Sequence, residues 1–420
     1  MDSEVAPPPP QPMAPVQSED RVTVIDALRG AALFGIITAN MRGFNSPAAT
    51  YFNPDLIWTA PPDRIAQLFI NTFIQGKFIT IFAVLFGLGF AIQMERAAAR
   101  GQGRGFYIRR LMVLLLFGIV HSFGLWWGDI LLTYALGGFI LLLFRDRHQS
   151  ILLRWGWGLY WFLMIPLAGA MIAKLAGADI PSPPTPDAAQ LAETVRIYSH
   201  GSWSEIFRKR AQEWATLNGM LPLFMTQIVG LFLFGLYLWR KGVIRDIESH
   251  EIWWRKGRII GAAVGFPASI AANILFFKYH PDPFGMSPIA TGIMLLSIIG
   301  TPTLSLFYAS TLVLAFQNPV WRRRLMPFSY VGRMALTNYL LQTVLCTMLY
   351  YSYGFGLFGK VGPLLGLVPT VVIYGLQVPF SKWWLSKHRY GPMEWLWRRL
   401  TYGSLDVTRA GEWTQAAQAR

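Results

Sequence analysis

Long apolar stretches separated by short polar segments set the pattern of this chain. Ten of them approach or exceed the ~20 residues a helix needs to cross a bilayer: about 23–41, 77–94, 108–126, 129–144, 151–175, 219–239, 259–279, 288–316, 329–352 and 361–381. The second has room to begin earlier, near Ile65. The fifth and eighth are long and carry Pro166 and Pro302, which predicts tilt or a kink. No fixed-period repeat is visible. The pattern predicts an all-α polytopic integral membrane protein with about ten transmembrane helices.

The segments between the spans differ in character. Residues 1–20 are proline-rich and read as a disordered tail without the basic region of a secretory signal, so the first span is expected to stay uncleaved. Residues 21–403 read as one helical domain and 404–420 as a flexible tail. The segment 42–62, with Asn45, Pro47, Asn53, Pro54 and Pro61-Pro62, reads as an ordered loop. The segment 176–218 starts proline-rich and continues through an amphipathic stretch from Ala188 to Leu217, either a surface loop or a lid over a cavity.

Composition supports the membrane reading. Hydrophobic residues make up 53% and charged residues 14%, against about 25% charged in ordinary soluble chains. A soluble enzyme, a disordered chain and a disulfide scaffold are therefore poor fits. The net charge of +15 would suggest nucleic acid in a soluble protein, but basic cytoplasmic loops account for it here, and no nucleic-acid partner is expected. With both termini in the cytoplasm, the cytoplasmic segments hold 25 Lys and Arg against 9 outside; Arg29, Lys77 and Arg333 fall at or within spans. The single cysteine, Cys346, excludes an intrachain disulfide or a cysteine-based metal site, and no metal is expected.

Polar residues inside spans are costly and therefore informative. Asp26 and Arg29 share a helix face at the cytoplasmic end of the first span, as a helix-end ion pair or as a site for an anionic group. Asn40 and Arg42 close that span outside. Lys77 opens the second and reads mainly as a snorkelling residue, alternatively as a substrate contact. His121 stands ~20 Å along the third span, in the outer half of the bilayer. Asp129, in the short turn that follows, is well placed to cap the fourth span and lies at the depth of His121. The ninth span carries Arg333 near its cytoplasmic end and then Asn338 and Gln342 on one face, placed for interhelical bonding or a polar pathway. The residues sort into an inner tier (Asp26, Arg29, Arg333), an outer tier (Asn40, Lys77, His121, Asp129) and an intermediate pair (Asn338, Gln342). This predicts one hydrated passage from the inner guanidiniums to His121. A last amphipathic segment, Gly391 to Arg399, reads as interfacial.

Five short motifs, in order, carry a resemblance. They are Ile25-Asp26-Ala27-Leu28-Arg29-Gly30 with Asn40; Gly76-Lys77-Phe78 with Leu85-Phe86-Gly87-Leu88-Gly89; Arg109-Arg110 with His121 and Gly128-Asp129-Ile130-Leu131; Gly332-Arg333-Met334-Ala335-Leu336-Thr337-Asn338-Tyr339; and Gly391-Pro392-Met393-Glu394-Trp395. Together they resemble the YeiB-like family of bacterial inner-membrane proteins, itself distantly similar to transmembrane acyltransferases. In the lysosomal members of that larger group the catalytic histidine lies just before the second span. Here Asn71 to Lys77 holds no histidine, and His121 is the candidate substitute.

The resemblance and the polar tiers imply a multi-pass protein of the bacterial cytoplasmic membrane that moves an acyl group. Acyl-CoA enters as donor substrate, with no tightly bound cofactor, and a glycan or lipid accepts the group outside. His121 and Asp129 are the expected catalytic pair. Asp26, Arg29, Asn40, Lys77, Arg333, Asn338 and Gln342 are the expected substrate contacts. A small-molecule transporter and a non-catalytic envelope protein are the rival readings.

Overall fold

The computed structural model describes residues 18–51, 53–99, 104–178, 186–219, 221–279 and 287–402. Of the terminal tails read from the sequence, residues 1–17 and 404–420 lie outside that set, as do the prolines at 181, 183 and 184, whereas residues 18–20, read as tail, form the first turn of the first helix. The elements are helices throughout, with no strand among the described residues. They are α1 (Ser18–Asn45), α2 (Pro61–Phe73), α3 (Lys77–Ala99), α4 (Arg104–Ile119), α5 (Leu131–Leu141), α6 (Gln149–Trp161), α7 (Met164–Leu175), α8 (Ala188–His200), α9 (Trp203–Asn218), α10 (Leu221–Arg240), α11 (Glu251–Tyr279), α12 (Pro288–Gln317), α13 (Pro319–Arg333), α14 (Ala335–Tyr350), α15 (Pro363–Lys387) and α16 (Pro392–Tyr402).

Eight helical stretches are long and apolar enough to cross a membrane, and Leu131–Phe144 is a shorter apolar helix. The chain is an all-α polytopic membrane protein. Every one of the ten stretches read from the sequence falls on helix, with three differences in form. Pro61 and Pro62, read as loop residues, instead open α2, because a proline at the first helical positions gives up only an amide with no partner in the helix. The fifth stretch breaks into α6 and α7 at Phe162–Leu163, four and three residues ahead of Pro166, which cannot donate to the Phe162 carbonyl. The ninth breaks at Met334, leaving α13 and the 16-residue α14, about 24 Å long.

α1 is the central element. It packs against α3, α13, α14 and α15. Two glycines set its closest crossing. A Cβ at Gly30 would lie 1.9 Å from the Phe328 carbonyl oxygen, and one at Gly332 would lie 1.8 Å from that of Asp26. Only backbone fits there, so α1 and α13 touch main chain to main chain. At the rim, α11 and α12 pair along their length and turn apolar side chains such as Ile259, Ile270 and Ile274 outward, where lipid covers them.

Candidate functional site

α4 does not end cleanly. Its last turn widens into a π-helical turn, Val120–Leu125, closed by the Trp126 amide donating to the His121 carbonyl at 2.9 Å. Such local widening is frequent at functional sites. Trp126 then extends, is fully buried and donates its indole N–H to the Gly43 carbonyl at 3.0 Å. This reverses the chain over a few residues and brings Asp129 back onto His121.

Asp129 uses both oxygens. Oδ2 accepts from the Leu132 amide at 2.6 Å and so caps the start of α5, while Oδ1 accepts from His121 Nδ1 at 2.8 Å. A carboxylate only accepts, so the proton sits on Nδ1 and leaves the Nε2 lone pair to receive a hydrogen bond. That bond comes from the Thr343 hydroxyl of α14, 2.9 Å away. The Tyr339 ring, one turn earlier on α14, lies 5.1 Å from the imidazole. The side chains of His121 and Asp129 are each 1% exposed. The arrangement can move a proton: a protonated imidazole would donate from Nε2 to Thr343 Oγ1, which can then turn its own proton to the Tyr339 carbonyl 3.4 Å away.

The inner tier assembles at the α1–α13 crossing. Arg29 Nη1 donates to Asp26 Oδ1 at 2.9 Å, and the Arg29 side chain keeps 29% of its surface exposed. Arg333, exposed at the last position of α13, also acts electrostatically on Asp26. The opposite, N-terminal half of α13 lines a surface cavity of about 450 Å³ with Gln317, Pro319, Arg322, Arg323 and Met326.

The imidazole is sealed, and neither this cavity nor the smaller one near Arg42 includes His121 in its lining. The intermediate residues are held in helix-to-helix bonds. Asn338 Nδ2 donates to Ser381 Oγ (2.9 Å) and to the Val331 carbonyl (3.1 Å). Gln342 Nε2 donates to Gln377 Oε1 (2.9 Å), and Gln377 Nε2 to the Asn338 carbonyl (2.9 Å). These bonds tie α14 to α13 and α15.

In the outer tier, Asn40 is half-buried on α1. Lys77 does not snorkel: it is 3% exposed and donates to the Asn71 carbonyl at 2.9 Å. The reason is that the turn joining α2 to α3 sets the Asn71 carbonyl within reach of its ammonium. Arg42, read from the sequence only as an end residue, is buried and reaches Asn71 Oδ1 at 2.5 Å.

The roles of three further groups escaped sequence reading. Glu394 of α16 caps α14 across 57 residues of chain, accepting from the Leu336 amide (2.7 Å), the Thr337 amide (3.1 Å) and the Thr337 hydroxyl (2.6 Å). Burial nevertheless raises its carboxyl above the usual range. Arg210 of α9 is buried and donates to the carbonyls of Phe123 (3.0 Å) and Gly124 (2.5 Å), clasping the π-turn that carries His121. Glu213, one turn further, accepts from the Tyr198 hydroxyl at 2.5 Å, and burial raises its carboxyl too. Within the segment 176–218, residues 188–218 form a helical hairpin, α8–α9, docked over the histidine turn, with Tyr198 stacked 4.6 Å from Phe358. The amphipathic stretch read from Ala188 to Leu217 is thus two helices, each opened by a capping box, Asp187/Gln190 and Ser202/Glu205.

Comparison with known proteins agrees over nearly the full length. Residues 238–404 match the family model described as a protein of unknown function, DUF418. The chain is 35% identical to the uncharacterized protein YxaH of Bacillus subtilis, over 93% of this chain and 96% of that one. It is 32% identical to the uncharacterized protein YeiB of Escherichia coli, over 91% and 96%, and 31% identical to an uncharacterized 39.9 kDa protein of Bacillus acidopullulyticus, over 93% and 96%. No solved structure matches.

Proposed function

The chain belongs to the YeiB-like DUF418 family of membrane proteins, and from the chemistry of its own site we propose that it is an acyltransferase of the bacterial cytoplasmic membrane. It passes an acyl group from a cytoplasmic acyl-CoA to a hydroxyl or amine of an extracytoplasmic glycan or lipid. The observation that carries this reading is the imidazole of His121, fixed by Asp129 on Nδ1 and facing a hydroxyl with Nε2. That is the orientation a general base needs. In the reaction the acceptor hydroxyl takes the place of the Thr343 hydroxyl. Nε2 accepts its proton as the oxygen attacks the thioester carbonyl, the C–S bond breaks, and the departing thiolate takes the proton back. The exposed Arg333, the half-exposed Arg29 and the cavity beside Arg322 and Arg323 supply guanidiniums for the phosphates of the donor. Because the ring is sealed at rest, the reaction requires α8–α9 to lift and Arg210 to release the π-turn.

Envelope glycans and lipids compared by mass spectrometry, with and without the gene, test the reading. We expect a mass difference of one acyl unit, lost again in a His121→Ala variant that accumulates normally in membranes. Retention of the acylated product in that variant sinks the assignment.

The interruption between α2 and α3 favours one rival, since transporters build sites at broken helices. Proteoliposomes separate the two: uptake of an unmodified solute without consumption of acyl-CoA identifies transport.

A further inference from the structure

α2 and α3 form one apolar stretch, Pro61–Ala99, but the helix is interrupted at residues 74–76. Gly76 takes φ +82°, which a side chain would resist. The interruption redirects hydrogen bonds. The Gln75 amide donates to the Ile70 carbonyl at 2.8 Å rather than to that of Asn71. The Asn71 carbonyl is thereby released, and the Lys77 ammonium takes it. Lys77 is also the first residue of α3, where the partial positive charge of a 23-residue helix is concentrated.

A second cation meets the same asparagine. Arg42 of α1 binds Asn71 Oδ1, its other contacts being a 3.4 Å bond to the Thr50 carbonyl and the Tyr51 ring 5.4 Å away. Both cations are buried, and among the described residues no carboxylate pairs with either. Arg29, by contrast, is neutralised by Asp26. Two buried like charges sharing neutral acceptors are unfavourable unless an anion joins them.

A third observation shows where such an anion would sit. Gln67 of α2 is 0% exposed, and neither its amide nitrogen nor its oxygen has a partner. It lines a cavity of about 10 Å³ with Arg42, Thr38 and Asn45, under the start of α15 at Gly366. That volume holds roughly one oxygen-sized group.

We propose that Arg42, Lys77 and Gln67 form a binding site for an oxyanion, a phosphate or carboxylate group, reached from the end of the molecule where α15 begins. One oxygen fills the cavity and accepts from Arg42 and the Gln67 amide. Lys77 and the α3 terminus supply the rest of the positive field. The same chemistry is offered by a dissolved anion and by the headgroup of an anionic lipid. The inference stands apart from the acyl-transfer reading and uses neither His121 nor Asp129.

The full-length protein, reconstituted in nanodiscs, provides the test through its thermal unfolding midpoint. In phosphatidylcholine discs, sodium phosphate and sodium acetate are titrated against sodium chloride at matched ionic strength. A second set of discs contains phosphatidylglycerol. A saturable rise with phosphate or acetate, absent with chloride, supports a dissolved oxyanion; a rise confined to phosphatidylglycerol discs supports a headgroup. Gln67→Leu and Lys77→Met should each weaken the half-saturating concentration at least tenfold, or abolish the lipid effect. Arg42→Gln should do the same where it folds, the other two variants carrying the test if it does not. No rise in either set, an equal rise with chloride, or a full response in Gln67→Leu and Lys77→Met overturns the site.

Discussion

Asp129 serves two helices with its two oxygens, and this makes its replacements separable. Asparagine can still cap α5 through its carbonyl oxygen. Its amide would then face Nδ1 of His121, which must present a lone pair and move its proton to Nε2. The general base is lost while the fold survives. Asp129→Asn should therefore lower acyl transfer by about a hundredfold or more, with an unfolding midpoint close to that of the parent. Asp129→Ala should in addition destabilise the protein by about 1–3 kcal/mol, since both the cap and the imidazole partner go. Acyl-CoA turnover in membranes, measured beside thermal unfolding, checks the pair, and unchanged turnover in Asp129→Asn removes Asp129 from the reaction. Glu394 makes the opposite case, a carboxyl whose protonated form the fold favours. Burial raises its pKa above the unfolded value of 4.5, so the native state binds the proton more tightly than the unfolded chain. Its contribution to stability is present below the unfolded value and falls as pH rises through the folded one. Glu394→Gln should flatten that part of the pH dependence of the unfolding midpoint, while Glu394→Ala should lower the midpoint throughout because the first amides of α14 lose their acceptor. A pH profile identical in the parent and Glu394→Gln would discard the idea.

At the scale of elements, the tightest joint is the α1–α13 crossing. A methyl at Gly332 would meet the Asp26 carbonyl oxygen at 1.8 Å, where backbone cannot yield as a flexible side chain could. Gly332→Ala must push the helices apart, and with them the Asp26–Arg29 pair and Arg333. The expected result is loss of folded protein from membranes, read by size-exclusion profile after extraction; a monodisperse profile at the parental yield would show the joint to be looser than drawn. Which elements could be read without coordinates follows from the range of the forces involved. Apolar stretches declare spans because lipid demands them locally, and all ten fell on helix. His121 and Asp129 stood out because they are eight residues apart and joined by one short turn. The roles of Thr343, Glu394 and Arg210 did not, because each acts on a partner distant in sequence; nor did Gln67, since an isolated glutamine in an apolar stretch carries no mark of the cavity it lines. Lys77 misled because the carbonyl that holds its ammonium belongs to α2, a helix whose opening prolines imitate a loop.

For the molecule as a whole, orientation decides what every tier can meet. The inner tier can receive acyl-CoA only if the ends of α1 and α13 that hold Arg29 and Arg333 face the cytoplasm. The loop arithmetic gives that result, with 25 basic residues on the side of the termini and 9 on the other. The fold offers a direct way to check it, because the only cysteine, Cys346, is fully buried. Newly placed cysteines can then be labelled by a membrane-impermeant maleimide over a silent background. Cysteine at Ser202, the exposed cap of α9, should label in intact cells. Cysteine at Arg324, on the stretch that carries Arg322 and Arg323, should label only after the membrane is opened. The reverse pattern would place the guanidiniums outside and His121 nearer the cytoplasm. An acyl-CoA donor would then meet the imidazole from the wrong side, leaving the helical scaffold intact but the direction of transfer untenable.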